Sequence, residues 1–208
     1  MIHLENYKII MRKVTGIVSF VFASQVTLAQ KTFSECYDTL LQRLTHSTGH
    51  VISGMSDWQN CIKGKEMPYL SLQTISGEKI ETKNLKGKVI VINLWFTTCH
   101  PCIAELPALN KLVKEYKDKN VVFLGLSTDT KEMLDADFFP KYKFDFKIIP
   151  GAGDIIEKIG HTGFPTTYIV DTKGRVIDAW IGGFDGKEAE AAAYLKAKPI
   201  IDELLKAQ

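Results

Sequence analysis

The sequence predicts an α/β fold, and three observations carry that prediction. The run Val89 to Trp95 is continuous, apolar and rich in β-branched residues, as a strand buried on both faces should be. It leads through Phe96, Thr97 and Thr98 into Cys99-His100-Pro101-Cys102, a C-x-x-C pair that opens a helix. A second apolar run, Val121 to Ser127, follows that helix and precedes another helical stretch. The order strand, helix, strand, helix implies parallel pairing through right-handed crossovers.

Taken in order, the chain begins with a targeting segment. Met11-Arg12-Lys13 is basic, Ile17 to Leu28 is apolar but too short to span a bilayer, and Thr27-Leu28-Ala29 ends in a small residue. Residues 1–29 therefore read as a cleaved signal peptide, with an uncleaved membrane anchor as the alternative. Residues 30–66 read as a helical extension: Phe33, Tyr37, Leu40, Leu41 and Leu44 recur at three and four residues, Thr45 to Gly49 breaks the pattern, and a short second helix covers Trp58 to Ile62. This extension is expected to cap an edge of the main domain, which spans residues 67–208.

Within that domain, Pro68 to Ile75 and Ile80 to Thr82 flank Ser76-Gly77, the signature of an N-terminal β-hairpin. The helix after Cys99 is expected to run to about Tyr116. After the second buried strand, Asp129 with Glu132 three residues later suggests a capped helix through about Tyr142. Phe146 to Ile149 is a short strand and Ile155 to Ile159 a short helix. Thr166 to Val170 and Arg175 to Ile181, joined by Asp171-Thr172-Lys173-Gly174, form a closing hairpin, and Lys187 to Ala207 a final helix.

The cysteine pair carries the chemistry. Pro101 suits a first helical turn, where its missing N–H would be unpaired anyway, while the free amides of that turn favour negative charge on Cys99. Cys99 is thus the expected exposed, low-pKa nucleophile, and Cys102, one turn further in, the buried resolving thiol. Together they form a dithiol/disulfide centre. Export would put the chain's four cysteines in an oxidising compartment. With Cys99 and Cys102 paired by spacing, Cys36 and Cys61 remain. A structural disulfide is expected between them, with an auxiliary redox pair or two free thiols as the alternatives.

Trp95, the C-x-P-C order of Cys99, Pro101 and Cys102, and the later Gly163-Phe164-Pro165-Thr166-Thr167 resemble the thioredoxin fold. The stretch from about Met67 to the C-terminus resembles, more closely, the TlpA/ResA-like extracytoplasmic thiol:disulfide oxidoreductases. The resemblance implies a central mixed sheet flanked by helices, with the hairpin from Pro68 as the family's N-terminal hairpin and Phe144 to Gly160 as the family's insert. It does not extend to residues 30–66.

The same resemblance assigns further site residues. Thioredoxins carry a buried aspartate six residues before the first cysteine, and here that place is Asn93, which cannot titrate. Glu105, three residues after Cys102, matches the active-site glutamate of the ResA-like proteins, where partial burial would raise its pKa and make it a proton shuttle. Pro165 matches the cis-proline opposite the cysteines and would expose the backbone of Phe164 to a substrate chain. Trp95, His100, Pro101 and Phe164 are expected to support the site. When protonated, His100 favours the Cys99 thiolate; residues between such cysteines set a redox poise over roughly 150 mV, about 7 kcal/mol. Thr98 stands where the family has tryptophan. His161 reads as a loop residue.

Composition and motifs exclude several classes. Removing residues 1–29 takes Lys8, Arg12, Lys13 and Glu5 from 26 basic and 24 acidic residues, leaving 23 of each, so nothing calls for nucleic acid. A c-type haem site needs C-x-x-C-H, but residue 103 is Ile103. A zinc site would need two more ligands, and Cys36, Cys61, His46 and His50 lie in another element. Peroxiredoxins place their nucleophile in P-x-x-x-[ST]-x-x-C, which Asn93 to Phe96 does not supply. No metal and no cofactor are expected. The expected function is a periplasmic, monomeric protein-disulfide oxidoreductase that reduces exported clients, including apocytochromes, and is recharged by a membrane-embedded electron donor. A DsbA-like oxidase and a thiol peroxidase are the alternatives.

Overall fold

The computed structural model describes residues 33–46, 51–161, 163–182 and 187–207, so the signal peptide expected over residues 1–29 lies outside the described residues. Helices α1 (Phe33–His46) and α2 (Val51–Ile62) come first, and α2 begins well before the expected Trp58. The hairpin of β1 (Ser71–Gln73) and β2 (Lys79–Glu81) pairs Leu72 with Ile80. Its turn closes at Gly77, whose φ of 87° is open to glycine without steric cost. Then follow β3 (Val89–Trp95), α3 (His100–Ala104), α4 (Leu106–Glu115), β4 (Val121–Ser127), α5 (Lys131–Met133), β5 (Lys147–Ile149), α6 (Gly153–Ile159), β6 (Thr166–Val170), β7 (Val176–Ile181) and α7 (Lys187–Lys206).

Strands β3 to β7 form one sheet in the order β5-β4-β3-β6-β7. β3, β4 and β5 are parallel, and β6 and β7 are antiparallel to their neighbours, which makes the sheet mixed. Every residue of β3 is buried, and successive side chains go to opposite faces. Ile90, Ile92 and Leu94 join Leu124, Leu126, Tyr168 and Val170 on one face. Val89, Val91 and Trp95 join Leu106, Leu109, Leu112, Ala197 and Ile201 on the other, under α4 and α7. Each such aliphatic side chain contributes about 1.5–3 kcal/mol on burial. Asn93, in the second row, is the one polar residue in this strand.

The helical extension covers a face of the sheet rather than an edge. Phe33, Leu40, Trp58 and Ile62 share the core of Ile90 and Ile92, with Trp58 edge-on to Tyr168 at 5.8 Å and 83°. The reason is the apolar row on β3 itself, which has two faces to cover. A disulfide between Cys36 and Cys61 ties α1 to α2.

Two helix expectations give way. The helix after Cys99 is not continuous: it breaks at Glu105, which ends α3 and precedes α4. Pro107 explains the break, since its ring would meet the carbonyl of Ile103 in an unbroken helix. Asp129 does not cap the next helix either. Thr130 does, its hydroxyl accepting from Met133 N at 3.4 Å, and the segment passes into a π-helical turn, Leu134–Phe138, instead of reaching Tyr142.

Residues 64–75 cross the first face from one edge of the sheet to the other. Gly64 N donates to Val176 O and Val176 N to Lys65 O, both at 2.8 Å, on β7; Ile75 N donates to Ile148 O at 2.8 Å, on β5.

Candidate active site

β3 delivers the chain to the cysteines at the end of the sheet where β4 also terminates. Cys99 takes extended backbone angles and serves as the N-cap of α3, its Sγ accepting from Cys102 N at 3.3 Å. That N–H would equally stabilise a thiolate on Cys99. Cys99 and Cys102 are joined as a disulfide with 5.2 Å between their Cα atoms. Pro101 sits in the first turn and His100 is exposed beside it. In this oxidised state Cys99 is not the exposed residue the sequence suggested: it is 5% exposed against 1% for Cys102, because its sulfur is taken up by the disulfide and the cap.

The helix break turns Glu105 inward. It makes no cap bond with its side chain and is 2% exposed. Asn93 Nδ2 donates to Glu105 Oε1 at 2.8 Å and to Thr167 Oγ1, its cross-strand partner, at 3.1 Å. Burial pushes the Glu105 carboxyl up to about 7, and the Asn93 hydrogen bond acts in the opposite direction.

The peptide bond between Phe164 and Pro165 is cis. Pro165 O accepts from Gly182 N at 2.8 Å, which ties the proline loop to the end of β7. Gly182 has no room for a side chain: a Cβ would stand 3.0 Å from Pro165 Cγ and collide with the Glu105 carboxylate. One backbone position thus lies against both Glu105 and Pro165. Phe164 is half-buried and edge-on to Phe96 at 5.2 Å and 81°. The loop that carries Phe96 and Thr97 is fixed by Asp129, whose Oδ2 accepts from Thr97 N at 2.5 Å and from Ser127 Oγ at 3.3 Å. This bond is what takes Asp129 away from the helix it was expected to cap.

Trp95 stands apart from the surface. It is wholly buried, 4.5 Å from Phe138 and 5.3 Å from Phe144, so it supports the end of the sheet and cannot touch a substrate. Cys99 and Cys102 share a core cluster with Phe164, and Glu105 and Pro165 meet at Gly182; Cys36 and Cys61 join elsewhere, between α1 and α2. Asn93, Asp129, Thr167 and Gly182 were not anticipated as partners of the site. The signal for Asn93 was present, since a lone amide in an apolar strand needs a buried partner.

A mixed sheet that presents a C-x-x-C disulfide at a helix start, beside a cis-proline, defines a thioredoxin-like dithiol protein. The comparisons narrow that class. The AhpC/TSA family model matches residues 63–179. The thiol-disulfide oxidoreductase ResA of Bacillus thuringiensis subsp. konkukian (strain 97-27) is 37% identical over 134 residues, 64% of this chain and 76% of the relative. The thioredoxin-like protein YneN of Bacillus subtilis (strain 168) is 38% identical over 130 residues, 62% and 76% of the two chains. Among solved structures, a thiol:disulfide interchange protein of the thioredoxin family from Chlorobium tepidum TLS aligns with a TM-score of 0.56 at 20% identity, over 69% of this chain and 97% of that one, which shows the shared fold. The chain belongs to the AhpC/TSA family and is a protein-disulfide oxidoreductase of the ResA type.

Proposed function

We propose that this oxidoreductase works as a reductant of disulfides in exported client proteins, apocytochromes among them, and that a membrane-embedded donor returns it to the dithiol state. The observation that carries the proposal is Glu105, a buried carboxyl near pKa 7, three residues after the resolving cysteine and against the cis-proline loop through Gly182. Cys99 thiolate attacks one client sulfur, forming a mixed disulfide and releasing the other client sulfur as a thiolate. Cys102 gives its proton to Glu105 and attacks Cys99 Sγ, which expels the second client sulfur as a thiolate, so the protein holds the Cys99–Cys102 disulfide and the client's two thiolates take their protons from Glu105 and solvent. Two electrons pass to the client, and Glu105 passes its proton on to solvent or the departing thiolate.

Pro165 and Phe164 hold the client chain. The ladder between β3 and β6 begins at Leu94 and Thr166, so both lie beyond its last pair, which favours this role. A second disulfide, Cys36–Cys61, favours an oxidising compartment outside the cytoplasm. Among the described residues no helix is long and apolar enough to cross a membrane.

The test is the equilibrium reduction potential of Cys99/Cys102 with Cys36 and Cys61 replaced by serine. A value near that of thioredoxin, about −270 mV, supports the reductant; one near that of DsbA, about −120 mV, makes the protein a thiol oxidase.

A further inference from the structure

The chemistry above gives α1 and α2 no part. Their contacts supply one. The Tyr37 ring, on α1, packs onto Gly160 at the end of α6, where a Cβ would stand 2.6 Å from Tyr37 Cδ2 and 2.7 Å from Cγ. Gly160 also has a φ of 71°, so the position requires glycine twice over. From Tyr37 the aromatic contact continues into the site. The His161 ring lies 6.5 Å from Tyr37 at 30°, Phe164 lies 4.7 Å from His161, and Phe96 lies 5.2 Å from Phe164. Phe164 precedes the cis-proline and Phe96 is the third residue before Cys99.

The start of the same loop is also held from below. Tyr168 donates to Gly160 O at 2.5 Å and Ile159 O at 3.0 Å, and its ring meets Phe33 and Trp58 of the two helices. Cys36, the neighbour of Tyr37, is bonded to Cys61, which fixes the position of α1 on α2.

We infer that Tyr37 and His161 are positioning residues for the client: they hold Phe164 beside the cysteine pair, which makes the disulfide-stapled helices part of the client-binding apparatus. The partner this fits is an extended polypeptide with an apolar side chain next to its cystine, able to lie along the Phe164 ring. Small disulfides have no such chain and do not need the prop. The inference rests on the proposal that Phe164 and Pro165 receive client backbone.

The experiment compares two substrates for the full chain reduced selectively at Cys99–Cys102 with Cys36–Cys61 intact, insulin as a protein disulfide and Ellman's reagent as a small one, in Tyr37→Leu, His161→Leu and Tyr37→Phe. Losing one aromatic contact should slow insulin reduction about fivefold through KM, with the rate on Ellman's reagent and the Cys99/Cys102 potential unchanged. Tyr37→Phe, which keeps the ring and gives up the hydroxyl's hydrogen bonds with Glu157 and the His161 backbone, should lose less than Tyr37→Leu, and Gly160→Ala, which displaces the Tyr37 ring without altering it, should repeat the selective loss. Equal rates in all variants overturn the inference, and so do parallel losses on both substrates, which mean damage to the dithiol centre. A wild-type protein that reduces Ellman's reagent and leaves insulin untouched overturns the client proposal itself.

Discussion

Asn93 on β3 donates a 2.8 Å hydrogen bond to Glu105 at the break between α3 and α4, joining the sheet to the end of the active-site helix through a buried amide and a buried carboxyl. The pair sets how the carboxyl titrates. Its folded pKa of about 7 lies above the ordinary 4.5, so the native protein binds this proton more tightly than the unfolded chain does.

The stabilisation from this proton is therefore complete below pH 4.5 and is lost as pH rises through 7, about 3 kcal/mol in all. Urea unfolding of the oxidised protein from pH 4 to pH 9 should show this decline. Glu105→Gln should remove it and be more stable than wild type at pH 8. A Glu105→Gln profile as steep as that of wild type would assign the slope to other groups.

Asn93→Ala removes a hydrogen bond that holds the Glu105 pKa down, so the carboxyl should titrate higher in the variant. Carboxyl carbon NMR chemical shifts followed against pH give the midpoint directly. The acid limb of the pH–rate profile should move in the same direction.

Gly182→Ala puts a methyl group where the Glu105 carboxylate and the Pro165 ring already sit. Overpacking of this kind costs about 1–3 kcal/mol. Because the group displaced is the proposed proton acceptor, insulin reduction at pH 7 should fall further than the melting temperature alone explains. Normal turnover in a destabilised variant would separate Gly182 from the site.

Replacing both Cys36 and Cys61 by alanine opens a link between residues 25 apart in sequence. Loop entropy assigns such a link about 3 kcal/mol, which denaturant titration of the two proteins measures.

Much of this was legible because it is local. The β-branched run of β3, the C-x-x-C pair and the Ser76-Gly77 turn declare themselves within a few residues, and the parallel pairing of β3 with β4 follows from the alternation of strands and helices with the handedness of crossovers. The break at Glu105 was also written in the chain, in Pro107, but helical periodicity across Leu106, Leu109 and Leu112 hid it. What could not be read is what folding brings together from afar. Gly182 reaches Glu105 from the end of β7, and Thr167 reaches Asn93 across 74 residues. Asp129 looked like a helix cap because nothing in its own neighbourhood reveals the Thr97 amide.

The crossing of residues 64–75 has a consequence for solubility. Sheet edges are where polypeptides polymerise, since an unpaired strand accepts any other by backbone hydrogen bonds. One connecting segment bonds to both outer strands, β7 at Val176 and β5 at Ile148, so each edge is occupied at that point before another copy can reach it. The segment that crosses the first face thereby shortens the length of open strand a second copy could join.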